Sequence, residues 1–164
     1  MPHFDREGEE RHTMTKPPNQ APGRVLFLCT HNSARSQMAE GLLRSCSGGA
    51  YEAFSAGTTA TRVRPEAIAV MQEIGMDISA QASKTLERYL HESFDVVITV
   101  CDDANEACPV FPHARQRRHW SIDDPSRVKG SEAERLTAFR RARDELRTRI
   151  ETELLGRENT ENER

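Results

Sequence analysis

A chain of 164 residues with net charge −3, a pI near 6.1 and a mean hydropathy of −0.72 is long enough to bury one core and too weakly basic for broad nucleic-acid binding. No apolar run would span a bilayer and no signal-peptide core is present, so the reading is a cytoplasmic protein with no membrane partner; no nucleic-acid partner is expected, and a monomer is the working expectation. Four cysteines, Cys29, Cys46, Cys101 and Cys108, in a chain with no secretory address argue for redox or nucleophilic use and against a disulfide framework.

Residues 1–23 are polar, carry Pro17, Pro18 and Pro22, and show no apolar period, which predicts a disordered extension ahead of a domain over 24–155. The run 24–29 reads as a buried strand, and 35–47 as a helix with Met38, Leu42 and Leu43 inward, stopped by Gly48 and Gly49. A second strand spans 51–55, and 58–64 reads as loop. Pro65 suits the first position of a helix with Ile68, Met71 and Ile74 inward, and Gly75 the residue past its end.

Ser83 is predicted to cap a short helix containing Leu86, Tyr89 and Leu90. Residues 94–100 form a third strand, apolar on both faces through Val96, Val97 and Ile98, so both faces need cover. Pro109 and Pro112 punctuate a loop, 115–120 suggests an edge strand carrying the basic cluster Arg115, Arg117 and Arg118, and Pro125 marks another loop. Ser131 with Glu134 makes a capping box for a last helix through Leu136, Phe139, Leu146, Ile150 and Leu154 to Gly156, with 156–164 a frayed tail. Strands alternating with helices predict an α/β fold, a parallel sheet wrapped by helices whose ligand site lies at the carboxyl ends of the strands.

That edge is where the chemistry concentrates. Cys29 ends the first strand and opens the segment CTHNSARSQMAEG over 29–41, in which Cys-x5-Arg-Ser leads into a helix. Backbone N–H groups of Thr30, His31, Asn32, Ser33, Ala34, Arg35 and Ser36 can converge on a tetrahedral oxyanion at a positive helix terminus, an environment that favours a thiolate. Arg35 can hold two oxygens of that anion with its planar fork. Asn32 suits a left-handed turn, and Ser36 can donate to the sulfur. Cys101 follows the third strand, so if the first and third strands are neighbours both thiols open on one edge. Cys101 and Cys108 could also pair with His113 and His119 around a metal, although the spacing fits no familiar zinc module, or be incidental.

The loop resembles the catalytic loop of the low-molecular-weight protein tyrosine phosphatase superfamily, and within it the thioredoxin-coupled arsenate reductases. The resemblance runs through SAG at 55–57, RPEAI at 64–68, DIS at 77–79, VITVCDDANEACPVFP at 97–112, HWSIDDP at 119–125 and FRRARDELRTRI at 139–150. It implies a three-layer fold with a four-stranded parallel sheet, Cys29 as nucleophile and Arg35 as oxyanion ligand. It further implies reduction of arsenate to arsenite: Cys29 forms a thiol–arsenate adduct, Cys101 resolves it into a Cys29–Cys101 disulfide, and Cys108 draws the disulfide outward to a thioredoxin-like reductant. No bound cofactor is implied. Residues 101–108 must then loop or partly unwind, because Cys101 and Cys108 are too far apart in a regular helix or strand.

Asp124, immediately before Pro125, is the acid candidate, with Asp123 its neighbour. Ser126 and Arg127 stand where phosphatases of this superfamily place aromatic residues for a phosphotyrosine ring, which favours a small inorganic substrate. A phosphatase is the enzymatic alternative, and a non-catalytic oxyanion sensor a third class, for which Cys101 and Cys108 would have no use. Ala34 replaces a cysteine found in many relatives, with no loss of activity expected, and Cys46 reads as packing or surface. Some reductases of this type bind potassium at positions matching Asn32, Glu40, Ser55 and Lys84; here the Lys84 ammonium is expected to pair with Glu40 in place of the ion.

Overall fold

The computed structural model describes residues 21–101, 111 and 113–157. The expectations for residues 1–20 and 158–164, and for Cys108 in the relay, lie outside the described residues.

Four strands, β1 (Gly23–Cys29), β2 (Tyr51–Gly57), β3 (Phe94–Thr99) and β4 (Ala114–His119), form one sheet in the order β2-β1-β3-β4. Every neighbouring pair is parallel. The chain leaves β1 toward β2 on one side and returns to β3 on the other, which opens a crevice at the carboxyl ends of β1 and β3. Leu28 pairs with Thr99 across these two strands, so the ends that carry Cys29 and Cys101 are adjacent, which meets the condition the sequence left open. β1 starts at Gly23, one residue earlier than expected, and Trp120 lies beyond β4 rather than within it.

Among the described residues three α-helices, α1 (Arg35–Cys46), α2 (Pro65–Gln72) and α3 (Glu132–Arg149), accompany the sheet, and α3 continues as a π-turn, Ile150–Leu154. Val25, Phe27, Val96 and Ile98 share one core with Met38, Leu42 and Leu43 of α1 and Phe139 and Leu146 of α3. Leu26, Leu28 and Val97 face the opposite side, against Leu86, Tyr89 and Phe111. The central strands are thus buried on both faces and the architecture is three-layered, which accounts for their unbroken apolar runs. β4 presents its arginines at a sheet edge, where charge opposes pairing with another chain.

Helix boundaries follow their caps. Pro65 is the first residue of α2, and Gly75, at φ 81°, closes it with Met76 N donating to Met71 O and Gly75 N to Gln72 O, a closure that needs the left-handed backbone glycine tolerates. Ser131 Oγ accepts from Glu134 N while Glu134 Oε1 accepts from Ser131 N, the capping box expected. Ser83 caps nothing: the short helix is a 3-10 turn over Leu86–Tyr89 with Thr85 at its N-cap. Ser83 Oγ instead accepts from Thr61 N and donates to His31 O, and long-range bracing of the Cys29 loop outweighs the local cap.

Candidate active site

The loop after β1 owes its shape to where its carbonyl groups go. Thr30 O accepts from Thr59 N and the Thr58 hydroxyl, His31 O from the Thr61 and Ser83 hydroxyls, Asn32 O from Gln37 Nε2, and Ser33 O from Arg64 N. All four carbonyls are held by residues packed around the loop, and each planar peptide turns the next N–H the opposite way. The N–H groups therefore face the concave side, at the start of α1, where an anion gains from both donors and helix dipole. Asn32 takes φ 48°, the left-handed turn anticipated.

Gly57 makes this bracing possible. A Cβ there would stand 2.7 Å from Thr30 O and 2.8 Å from Asn32 N, so only glycine lets β2 pass so close to the loop. The sequence showed Gly57 only as part of the SAG motif; its role depends on a contact across the sheet.

Cys29 is buried at 3% exposure. Its Sγ lies 2.8 Å from Ser36 Oγ, which accepts from Asn32 Nδ2 at 2.8 Å, leaving the serine hydrogen for the sulfur. Arg35 Nη1 donates to Ile122 O at 2.8 Å, and Nη2 approaches Asp124 Oδ2 at 3.4 Å. Burial pushes the Asp124 carboxyl up, but hydrogen bonds from Ser126 and the charges of Arg35 and Arg127 outweigh it and leave Asp124 below the usual carboxylate range. Asp123 lines the same cleft but is exposed, and Arg35 reaches Asp124.

Cys101 is buried, with its Sγ 3.2 Å from Thr30 Oγ1. A cleft of about 230 Å³ is lined by Thr30, His31, Arg35, Cys101, Asp124 and Arg127, among others, so the anion loop, a second thiol and the acid loop meet. Arg127, read from the sequence only as a missing aromatic, stands at the rim with Nε 3.7 Å from Asp124 Oδ2. Cys46 lies far along α1, half-buried, its backbone oxygen accepting from Arg157. Among the described residues no cluster of His, Cys, Asp or Glu side chains is suited to a metal.

The residues matching a potassium site do not fit that ion. Glu40 Oε1 accepts from Ser55 Oγ at 2.5 Å and lies 3.9 Å from Lys84 Nζ, while Oε2 accepts from Arg44 Nη2 at 2.6 Å. Asn32 Oδ1 already accepts from Lys84 N and Gln37 Nε2. Two side-chain cations and several N–H donors thus face the oxygens that would hold a third cation, which adds like charge at short range.

Comparison with other proteins agrees with this geometry. The chain is 44% identical over 128 residues to the arsenate reductase of Halalkalibacterium halodurans, covering 78% of this chain and 92% of that one. It is 42% identical over 126 residues to the arsenate reductase of Bacillus subtilis, covering 77% and 91%. A solved arsenate reductase in the phosphate binding state superposes with TM-score 0.70 at 35% identity, covering 79% of this chain and 95% of that one. Residues 24–162 match the model of the low molecular weight phosphotyrosine protein phosphatase family, and with this match and these relatives the chain belongs to that family.

Proposed function

We propose that this protein reduces arsenate to arsenite by a cysteine relay. The observation that carries the reading is Cys101, held by Thr30 at the edge of the cleft that contains Arg35 and Asp124. A phosphatase has little use for a second buried thiol beside its anion loop.

Cys29 attacks arsenate held by the loop N–H groups and Arg35; a sulfur–arsenic bond forms, and an arsenic–oxygen bond breaks with the oxygen leaving as water. Asp124 supplies the proton. Its pairing with Arg35 keeps it ionised beforehand, and a dianion that draws the guanidinium away removes that partner and adds negative charge, both of which favour the protonated form. Cys101 then attacks Cys29 Sγ: the disulfide forms, arsenic keeps the electron pair of the broken sulfur–arsenic bond, and arsenite departs. Cys108 attacks Cys101 Sγ and releases Cys29 as a thiolate, and an external dithiol of the thioredoxin type reduces Cys101–Cys108. Two electrons leave the protein thiols and two reduce arsenic. No bound cofactor enters the reaction, and the Lys84 ammonium takes the place that potassium holds in some relatives. The proposed setting is a monomer in the cytoplasm, where thiols stay reduced; no helix among the described residues is long and apolar enough to cross a membrane.

The test is arsenate-dependent NADPH oxidation with thioredoxin and thioredoxin reductase. Wild type should turn over, and Cys29→Ser, Cys101→Ser and Cys108→Ser should each stop sustained turnover. Aryl phosphate hydrolysis lost only in Cys29→Ser, with no arsenate turnover by any form, would instead establish the phosphatase alternative.

A further inference from the structure

Behind the bowl, away from the cleft, four hydrogen bonds run in one direction toward a fifth contact, between Ser36 and Cys29. Arg44 Nη1 donates to Gln81 Oε1 at 3.1 Å, and Gln81 Nε2 to Gln37 Oε1 at 2.7 Å. Gln37 Nε2 donates to Asn32 Oδ1 at 2.8 Å, Asn32 Nδ2 to Ser36 Oγ at 2.8 Å, and Ser36 faces Cys29 Sγ at 2.8 Å. The line begins at a half-exposed guanidinium and ends at a buried sulfur.

We propose that Gln37 and Gln81 are positioning residues that set the donor direction of this chain, so that the Ser36 hydrogen points at Cys29 and holds it as the reactive thiolate. The inference rests on Cys29 being the nucleophile, and it adds residues that do not touch the substrate.

The Asn32 carboxamide could in principle present either end to Ser36. With its oxygen toward Ser36, the serine hydrogen would turn to that oxygen and away from the sulfur. Two donors prevent this, Lys84 N at 2.8 Å and Gln37 Nε2 at 2.8 Å, both on Asn32 Oδ1. Lys84 N is backbone and cannot reverse. Gln37 could, but its Nε2 is also committed to Asn32 O and Ala82 O, and its Oε1 to Gln81. Gln81 Nε2 bonds Gln37 O as well, and its own oxygen takes the Arg44 proton. Arg44, which has no acceptor to offer, fixes the sense of the line at its outer end. Aligned amide dipoles polarise one another in a low-dielectric interior, and Asn32, Ser36 and Gln37 are wholly buried.

Gln37 and Arg44 lie on α1 seven positions apart, on the same side as Glu40, while Gln81 comes from the loop before the 3-10 turn. That loop packs close because Gly41 has no side chain: a Cβ there would meet Ile78 Cγ2 at 2.6 Å.

The test measures alkylation of Cys29 by iodoacetamide in the reduced full-length protein, followed on the Cys29 peptide, with the Cys46 peptide as internal control. In Gln37→Leu the rate at about pH 7 should fall about tenfold, and in Gln81→Leu about threefold, while at about pH 10, where a thiol ionises unaided, each should stay within about twofold of wild type. Circular-dichroism melts confirm that each variant is folded; should Gln37→Leu not fold, Gln81→Leu, at a partly exposed site, decides. Wild-type rates at neutral pH in folded variants would overturn the proposal, and so would equal slowing at both pH values, which reports access rather than ionisation. Failure of the functional reading looks different: Cys29 of the wild type would then alkylate no faster than Cys46.

Discussion

Arg35 Nη2 and Asp124 Oδ2 stand 3.4 Å apart, so the guanidinium of the anion loop and the carboxyl of the acid loop are ion-pair partners. Asp124→Asn should lower turnover about 100-fold through loss of the proton donor. Arg35→Lys keeps the charge but not the fork, and should weaken phosphate inhibition at least about tenfold. Steady-state kinetics with phosphate as competitor read both; unchanged kcat in Asp124→Asn would remove Asp124 from the mechanism.

The same pair gives a pH dependence. The folded protein holds Asp124 below its ordinary value, so this contribution to stability is fully present above the unfolded value, about 3.9, and is lost as pH falls through the folded one. The melting-temperature difference between wild type and Asp124→Asn should therefore be constant near neutrality and shrink below about pH 4. A constant difference down to acid denaturation would contradict this.

Gly57→Ala tests the close passage of β2 behind the loop. The added methyl meets backbone atoms of Thr30, Thr59 and Asn32 at 2.7 to 2.8 Å, none of which can rotate away, so a loss of about 1–3 kcal/mol in urea denaturation is expected. Displacing the loop by a fraction of an ångström should also reduce turnover at least about tenfold. Wild-type stability would mean that the strand relaxes freely.

The Lys84–Glu40 pair predicts indifference to potassium. Burial, helped by Arg88 and Arg44, lowers the Lys84 ammonium from its ordinary value, and the Glu40 charge opposes that shift. Melting temperature and turnover in potassium chloride should equal those in sodium chloride at the same ionic strength. Lys84→Asp should become potassium-responsive, and a potassium-specific gain in the wild type would refute the substitution of lysine for the ion.

Ser131→Ala removes the hydroxyl that accepts from Glu134 N and should cost about 1 kcal/mol by chemical denaturation. Kinetics should not change, since the cap lies outside the cleft lining.

The buried runs Val25 to Leu28 and Val96 to Ile98, Pro65 and Gly75 around α2, the Ser131 cap and the Cys29-to-Arg35 loop were all legible in the chain, because each is encoded by neighbours within a turn or a strand. Pairing β1 with β3, which sets Cys101 beside Thr30, needed the sheet order, and the ion pair of Asp124, the acid candidate of the sequence, with Arg35 needed the folded loops. Ser83 misled because a local cap and a distant carbonyl compete for one hydroxyl, and the distant partner prevails. Gly57 and Gln37 lay inside motifs and Gln81 outside them, yet none showed its role: a glycine at a strand end and two polar residues look ordinary until packing brings a backbone within 3 Å or aligns their amides. Local periodicity and capping therefore specified the elements, and the motif the anion loop; the placement of Cys101, Asp124 and the line of donors behind Cys29 was decided by contacts between segments distant in sequence, where burial makes every hydrogen bond's direction count.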